Sequence, residues 1–483
     1  MTPLPTLIQG GMGVGVSSWQ LAQAVSRTGQ LGVVSGVALD VVHARRLNDG
    51  DPGGHLRRAY EGFVRPDIVE RVLRRYYRAS GRPAGTRYLT VPSHRLDPPS
   101  SLIDLTVLAN FAEVSLAKHG HDGRIGINYL EKIQLPTLYA LYGAMLAGVD
   151  AVLMGAGIPK EIPHVLDLLA AGQPATYRIS VVGTTAQDER VTRFDPAAFL
   201  GDALLTPLVR PRFLAIIASN TLASFLAKSA HGRPDGFVVE GPIAGGHNAP
   251  PRAALVLDAD GQPVYGPRDS VDLQALSELG IPFWLAGGYG SPDRLREAVE
   301  SGAAGIQVGS AFALCEESGI DPTIKHETID RALHGTLKVR TDPRASPSGY
   351  PFKVATLDNT LSNLETYLSR QRVCDLGFLR TAYLRDDDKV GYRCPAEPED
   401  DFVGKGGTVE DTAGRKCLCN GLLATIGLAQ LHSASPELPI VTAGDDLERV
   451  VRVLGAGNGT YTAADVIDYL LSGTAALVNS GTA

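Results

Sequence analysis

The chain has 483 residues, a formal charge of −7, 44% apolar residues and 20% charged ones. That balance suits a core-forming globular protein, excludes global disorder, and gives the chain as a whole no electrostatic footprint for nucleic acid. Length sets a prior of about three domains, unless one is an α/β barrel, which takes about 250 residues alone.

Five cysteines do not make a disulfide scaffold. The opening MTPLPTLIQGGMG lacks a charged stretch followed by an apolar one, so no signal peptide is expected. The longest apolar stretch, 141–159, is broken by Asp150 and four glycines, short of an uninterrupted spanning helix. The expectation is a cytoplasmic chain with no membrane and no nucleic-acid partner.

Taken in chain order, apolar runs at 6–9, 32–36, 124–129, 151–155, 213–219, 236–240, 282–286 and 305–309 predict strands. Most are rich in Val and Ile, do not alternate, and end at Gly. Continuous apolar strands are buried on both faces, as in a parallel sheet covered by helices. Helical patterns fill gaps between them at 17–28, 135–147, 222–230 and 292–301. Eight such steps predict a TIM (β/α)8 barrel over 1–340, with an inserted helical segment at about 41–123 and an appended C-terminal subdomain at 341–483. A ninth run at 177–182 leaves two alternatives, an inserted strand or a misnumbered fourth and fifth strand.

Residues 41–95 hold twelve arginines, no lysine and five acids. Within them, 66–79 reads as an amphipathic helix. Ile68, Val69, Val72, Leu73, Tyr76 and Tyr77 form one stripe, and Arg71, Arg74, Arg75 and Arg78 take the other side. A solvated helix packed on the barrel is the plain expectation. The sharper one is a patch that recruits an anionic carrier. The C-terminal third carries Pro/Ser/Gly turns, four of the five cysteines and a predicted last helix at 463–471, and it is expected to cover the barrel mouth as a lid.

Barrel active sites lie at the C-terminal strand ends, and a phosphate site often follows the seventh and eighth strands. Those turns are Gly287-Gly288 and Gly309-Ser310 here, where bare backbone and a hydroxyl suit one phosphomonoester. The first strand runs into Gln9-Gly10-Gly11-Met12-Gly13. It has neither Rossmann nor Walker spacing, but its bare backbone could lie flat against a planar ring. Asn128 ends the third strand with an amide suited to a heterocycle edge. His247 follows Gly245-Gly246 beyond the sixth strand, and its imidazole suits proton transfer.

These segments, with 155–159 and 305–312, resemble the nitronate monooxygenase (2-nitropropane dioxygenase) family, which includes flavin-dependent enoyl-acyl-carrier-protein reductases. The resemblance runs over about 4–320 in the family's own order, and the tail motifs at 341–347 and 417–421 are similar to those of a longer subgroup. It implies an FMN-binding TIM barrel. Gly11 and Met12 would line the flavin ring and Asn128 would contact it. Gly246, Gly287, Gly288, Gly309 and Ser310 would hold the phosphate side, and His247 matches the catalytic histidine. The chain departs from the family in having Ile243-Ala244-Gly245-Gly246-His247, where a Glu usually opens that motif.

The resemblance implies an FMN oxidoreductase that converts alkyl nitronates with O2 to a carbonyl compound and nitrite. The alternative is an NAD(P)H-dependent enoyl-thioester reductase, with an acyl carrier protein docking at the Arg-rich segment. A third reading is NAD(P)H:quinone reduction at the same flavin, and a fourth is a non-catalytic binding module. A homo-oligomer is compatible with each. Cys374, Cys394, Cys417 and Cys419 could hold Zn²⁺ or an iron–sulfur cluster, because nearby Arg372, Arg393, Arg415 and Lys416 would favour thiolates. Their spacing lacks the C-x2-C pair of strong zinc motifs, and the alternative is a set of reduced, semi-buried thiols. Cys315 is expected to be a packing residue.

Overall fold

The structure is a computed structural model that describes residues 4–185, 188–201, 203, 207–433, 435–454 and 459–472. Eight parallel strands form one sheet: β1 (Leu7–Gln9), β2 (Gly32–Ser35), β3 (Ile125–Leu130), β4 (Ala151–Gly155), β5 (Arg212–Ile217), β6 (Gly236–Glu240), β7 (Phe283–Ala286) and β8 (Gly305–Val308). Their order is β1-β8-β7-β6-β5-β4-β3-β2. The two ends meet where Ile8 bridges Leu31, with Gln9 N to Leu31 O at 3.0 Å and Leu31 N to Leu7 O at 3.1 Å. The Gln9 side chain adds a rung, its Oε1 accepting from Val33 N at 2.9 Å. All eight predicted strands are therefore present, in a closed TIM barrel.

The strands lack alternation because both faces are apolar. Ile8, Leu31, Val33, Leu153, Leu214, Val238 and Trp284 fill the barrel interior as one cluster, while the alternate residues face the helices. The run at 177–182 is an insertion, so the strand numbering stands. Ala175–Ile179 pairs with Arg190–Phe194, and Val181–Val182 lies beside Thr381–Leu384 of the tail.

The segment between β2 and β3 is helical. Its helix Pro66–Tyr76 buries Ile68, Val72 and Tyr76, as the stripe predicts. Two of its arginines pair locally, Arg71 with Asp67 and Asp104 and Arg74 with Glu70, while Arg75 lies over the Tyr76 ring. Nearby Arg57 and Arg82 take Asp51 and Asp49. This is the solvated, ion-paired face of the plain expectation. The helix Ser100–Lys118, missed in the search for apolar stretches, is long and apolar enough to cross a membrane by length and composition. Most of it is buried inside the protein, against the helices Trp19–Arg27, Leu39–Asn48 and Thr137–Leu146.

The tail begins as a hairpin, Lys338–Asp342 against Phe352–Thr356, and the second strand extends onto the two-residue strand Gly246–His247. Further along, Arg370 and Glu437 form a buried ion pair, 8% and 1% exposed. The last described helix, Ala463–Leu471, has the predicted bounds and starts with a Thr462/Asp465 capping box. Leu423, Val441, Val451, Val466 and Leu470 belong to the same apolar cluster as the barrel's outer face, so barrel and tail share one core.

Candidate active site

The turn after β1 is shaped by Ser17, whose Oγ donates to Gly10 O at 2.8 Å and accepts from Met12 N at 2.8 Å. It leaves bare backbone against the end of β3. A Cβ on Gly11 would stand 2.2 Å from Asn128 Cβ, so the meeting of these two strand ends requires glycine. After β7, Gly287 and Gly288 have φ of +81° and +80°, a conformation other residues adopt only under strain. These turns and Gly309-Ser310 after β8 converge on one cavity. Gly11, Met12, Asn128, Gly246, His247, Gly287, Gly288, Gly309 and Ser310 all line it.

His247 is held by the tail. Its Nε2 lies 2.7 Å from Ser346 Oγ and 3.4 Å from Ser348 Oγ, and the Phe352 ring meets the imidazole edge-on with centroids 4.8 Å apart. Ser346 and Ser348 also contact each other at 2.7 Å. Behind them, Lys132 Nζ donates to Ser348 O at 3.2 Å and sits over the Tyr350 ring at 3.3 Å. Burial and then the Lys132 charge lower the His247 pKa to about 3, so the imidazole is neutral at working pH. Burial lowers Lys132 to about 8. On the same cavity, burial raises Glu240 to about 7.

Sequence reasoning missed Lys132, Glu240, Ser346 and Ser348. Ser346 lies within the tail motif at 341–347, but only the fold brings that motif to His247. Lys132 and Glu240 stand at the ends of β3 and β6, where a search of every strand end would have found them. The tail also supplies Phe378, Leu379, Leu418 and Leu422, which with Val37, Leu130 and Ile133 make an apolar wall of the lining.

The metal expectation at the four tail cysteines finds no support in the grouping of side chains. Among the described residues, no three His, Cys, Asp or Glu side chains form a group that could hold a metal ion. Cys374 and Cys394 are free thiols that share a hydrogen bond, which lowers the Cys374 pKa and raises that of Cys394. Burial raises Cys417, which accepts from Asn420 Nδ2 at 3.6 Å, and pushes Cys419 up to about 12. Burial outweighs the nearby cations at Cys394, Cys417 and Cys419, which favours the protonated thiol at these three. Cys315 is buried and bonds Phe312 O at 3.1 Å, a packing residue as expected.

The lining suits a flavin. Bare backbone at Gly10–Met12 and Gly287-Gly288 leaves room for a flat ring, and Gln307 Oε1 on the same lining is buried without a partner, an acceptor awaiting an N–H or O–H. At the Gly288 and Ser310 end the tail is close: Gly444 N donates to Ser310 Oγ at 2.7 Å, and Asp446 Oδ2 accepts from Gly290 N at 3.3 Å. Burial raises the Asp446 pKa.

A family model described as nitronate monooxygenase matches residues 206–352, from just before β5 to the tail hairpin, including His247, both glycine turns, Ser346 and Ser348. The chain is similar to (3aS,4S,5R,7aS)-5-hydroxy-7a-methyl-1-oxo-octahydro-1H-indene-4-carboxyl-CoA dehydrogenase from Rhodococcus jostii, 25% identical over 199 residues, 41% of this chain and 46% of that protein. It is 30% identical over 210 residues to the protein of the same name from Mycobacterium tuberculosis, 40% of this chain and 56% of that one. A probable nitronate monooxygenase from Bacillus subtilis is 34% identical over 93 residues, 19% of this chain and 25% of that protein. The matches thus span about half the length of the two CoA dehydrogenases.

Proposed function

We propose that this chain is an FMN-dependent oxidoreductase of the nitronate monooxygenase type acting on an enoyl thioester. The observation that carries this reading is the split lining of the cavity. One end presents His247, backed by Ser346, Ser348 and the charge of Lys132, and one wall, with Leu130, Ile133, Phe378, Leu379, Leu418 and Leu422, is apolar. An acyl chain fits the apolar wall, and a thioester carbonyl fits the polar end. The CoA dehydrogenase relatives support the same class.

FMN, held by Gly11, Met12 and Asn128 at the ring and by Gly246, Gly287, Gly288, Gly309 and Ser310 towards the phosphate, would supply hydride chemistry, with NAD(P)H as electron donor. His247, being neutral, hydrogen-bonds the carbonyl region without adding charge. Ser346 fixes the imidazole, and Phe352 closes one side of it. The Lys132 ammonium adds positive potential where negative charge develops on the carbonyl oxygen. The tail residues Phe378, Leu379, Leu418 and Leu422 exclude water from the acyl side.

The family model and the Bacillus relative support a second reading, oxidation of an alkyl nitronate by O2 to a carbonyl compound and nitrite. A nitronate anion would use the same positive end.

A visible absorption spectrum followed by two assays tests both readings. A flavin double band, enoyl-thioester-dependent NAD(P)H oxidation and no nitrite release are expected. Nitrite release without thioester turnover overturns the first reading in favour of the second. A sample still colourless after incubation with FMN and desalting removes both and leaves the binding module.

A further inference from the structure

Beside the glycine-lined cavity lies a second cavity of about 610 Å³. The two share Ile133, Phe378 and Leu379 as a wall, and the inner end of the second holds Lys132 and Ser348 of the His247 cluster. Its outer end holds Lys160 and Phe225, which also line a shallower hollow with Lys228 and His231. Lys118, Lys353, Lys389, Lys405 and Lys416 each have an acidic partner, whereas Lys160 and Lys228 have none among the described residues. His94 is on the lining too, only 4% exposed. Its Nε2 is tied to Asp40 Oδ2 at 2.8 Å, and its Nδ1 is buried with no partner. A buried ring nitrogen without a partner is costly unless a ligand satisfies it.

We propose that this second cavity receives the phosphopantetheine arm of the substrate, with its phosphate at Lys160 and Lys228 and its amide chain running past His94. The thioester then reaches His247 past the Ile133–Leu379 wall. The inference rests on the thioester reading and adds to it where the arm lies. It also moves the anion-recruiting surface away from the Arg-rich segment, several of whose arginines are already paired with acids. Coenzyme A and a carrier protein present the same phosphopantetheine chemistry.

The test is calorimetric titration of the full FMN-loaded chain with 4′-phosphopantetheine, pantetheine and coenzyme A, repeated with Lys160→Glu/Lys228→Glu. Both positions are away from the flavin cavity, and a melting curve checks that the variant folds. Phosphopantetheine affinity is expected to fall about tenfold or more in the variant, with pantetheine affinity unchanged. Equal phosphopantetheine affinity in the two proteins, or no binding to the wild type, overturns the proposal. If the expected loss is found, coenzyme A binding as tightly as phosphopantetheine supports a CoA-borne arm, and weaker coenzyme A binding supports a carrier-borne one. Turnover of an enoyl N-acetylcysteamine thioester, which has no phosphate, tests the thioester reading separately. Turnover of that substrate together with unchanged phosphopantetheine affinity in the variant removes this inference alone.

Discussion

Ser346 Oγ stands 2.7 Å from His247 Nε2, and burial with the Lys132 charge lowers the histidine's pKa to about 3. His247 therefore does not titrate near neutrality; on this cavity Glu240 does, at about 7, and beside His247 so does Lys132, at about 8. Its charge is present below that pH and is lost as pH rises through it. Turnover should fall on that alkaline limb, and Lys132→Met should lower turnover about 10- to 100-fold and abolish the limb, with FMN still bound. A pH–rate profile of the two proteins checks this. His247→Ala should lower turnover by about 100-fold with the flavin spectrum intact, and equal turnover removes His247 from the mechanism.

Glu240 tests the sign of burial itself. Its pKa rises from 4.5 to about 7 on folding, so the carboxyl adds no penalty below 4.5, costs stability increasingly as pH rises from 4.5 to 7, and carries its full cost above 7. Glu240→Gln in the apoprotein should raise Tm by a few degrees at pH 8 and leave it unchanged at pH 4, by differential scanning calorimetry.

At the scale of elements, the barrel seam depends on glycines at positions where a side chain has no room. A Cβ on Gly305, at the start of β8, would lie 1.8 Å from Thr6 O, beside β1. Gly305→Ala should therefore open the β1–β8 edge and lower the denaturation midpoint by more than an ordinary core substitution. Gly288 separates strain from charge. Gly288→Asp adds a carboxylate at the phosphate side and should weaken FMN binding at least tenfold more than Gly288→Asn, which tolerates a positive φ and carries no charge. Equal flavin retention in the two variants would place the phosphate elsewhere. The barrel strands were readable because burial on both faces writes a local signal, an unbroken Val/Ile run ending at Gly. The run at 177–182 stayed ambiguous because its partners, Arg190–Phe194 and Thr381–Leu384, are distant in the chain or mark no period of their own.

Across the whole molecule, the tail contributes to the core as well as to the site. Leu423, Val441, Val466 and Leu470 pack in the same cluster as the barrel's outer face, and Ser346, Phe352 and Gly444 touch the strand-end residues His247 and Ser310. A chain ended at residue 340 should expose that apolar surface and lose cooperative melting, while the full chain should melt in one transition. A truncated barrel that is soluble, cooperative and FMN-binding would show the tail to be a separable lid.

The sequence by itself determined the barrel, the order of its eight strands and the strand-end residues Gly11, Asn128, His247, Gly288 and Ser310, because each of these follows from a local pattern. Only the tertiary structure decided what surrounds His247. Lys132, Ser346 and Ser348 meet it across separations of up to about a hundred residues, and no periodicity records such a meeting. The cysteines show the same limit from the other side. Their spacing left a metal open, and the burial that raises the pKa of Cys394, Cys417 and Cys419 is a property of the packed chain that no spacing records.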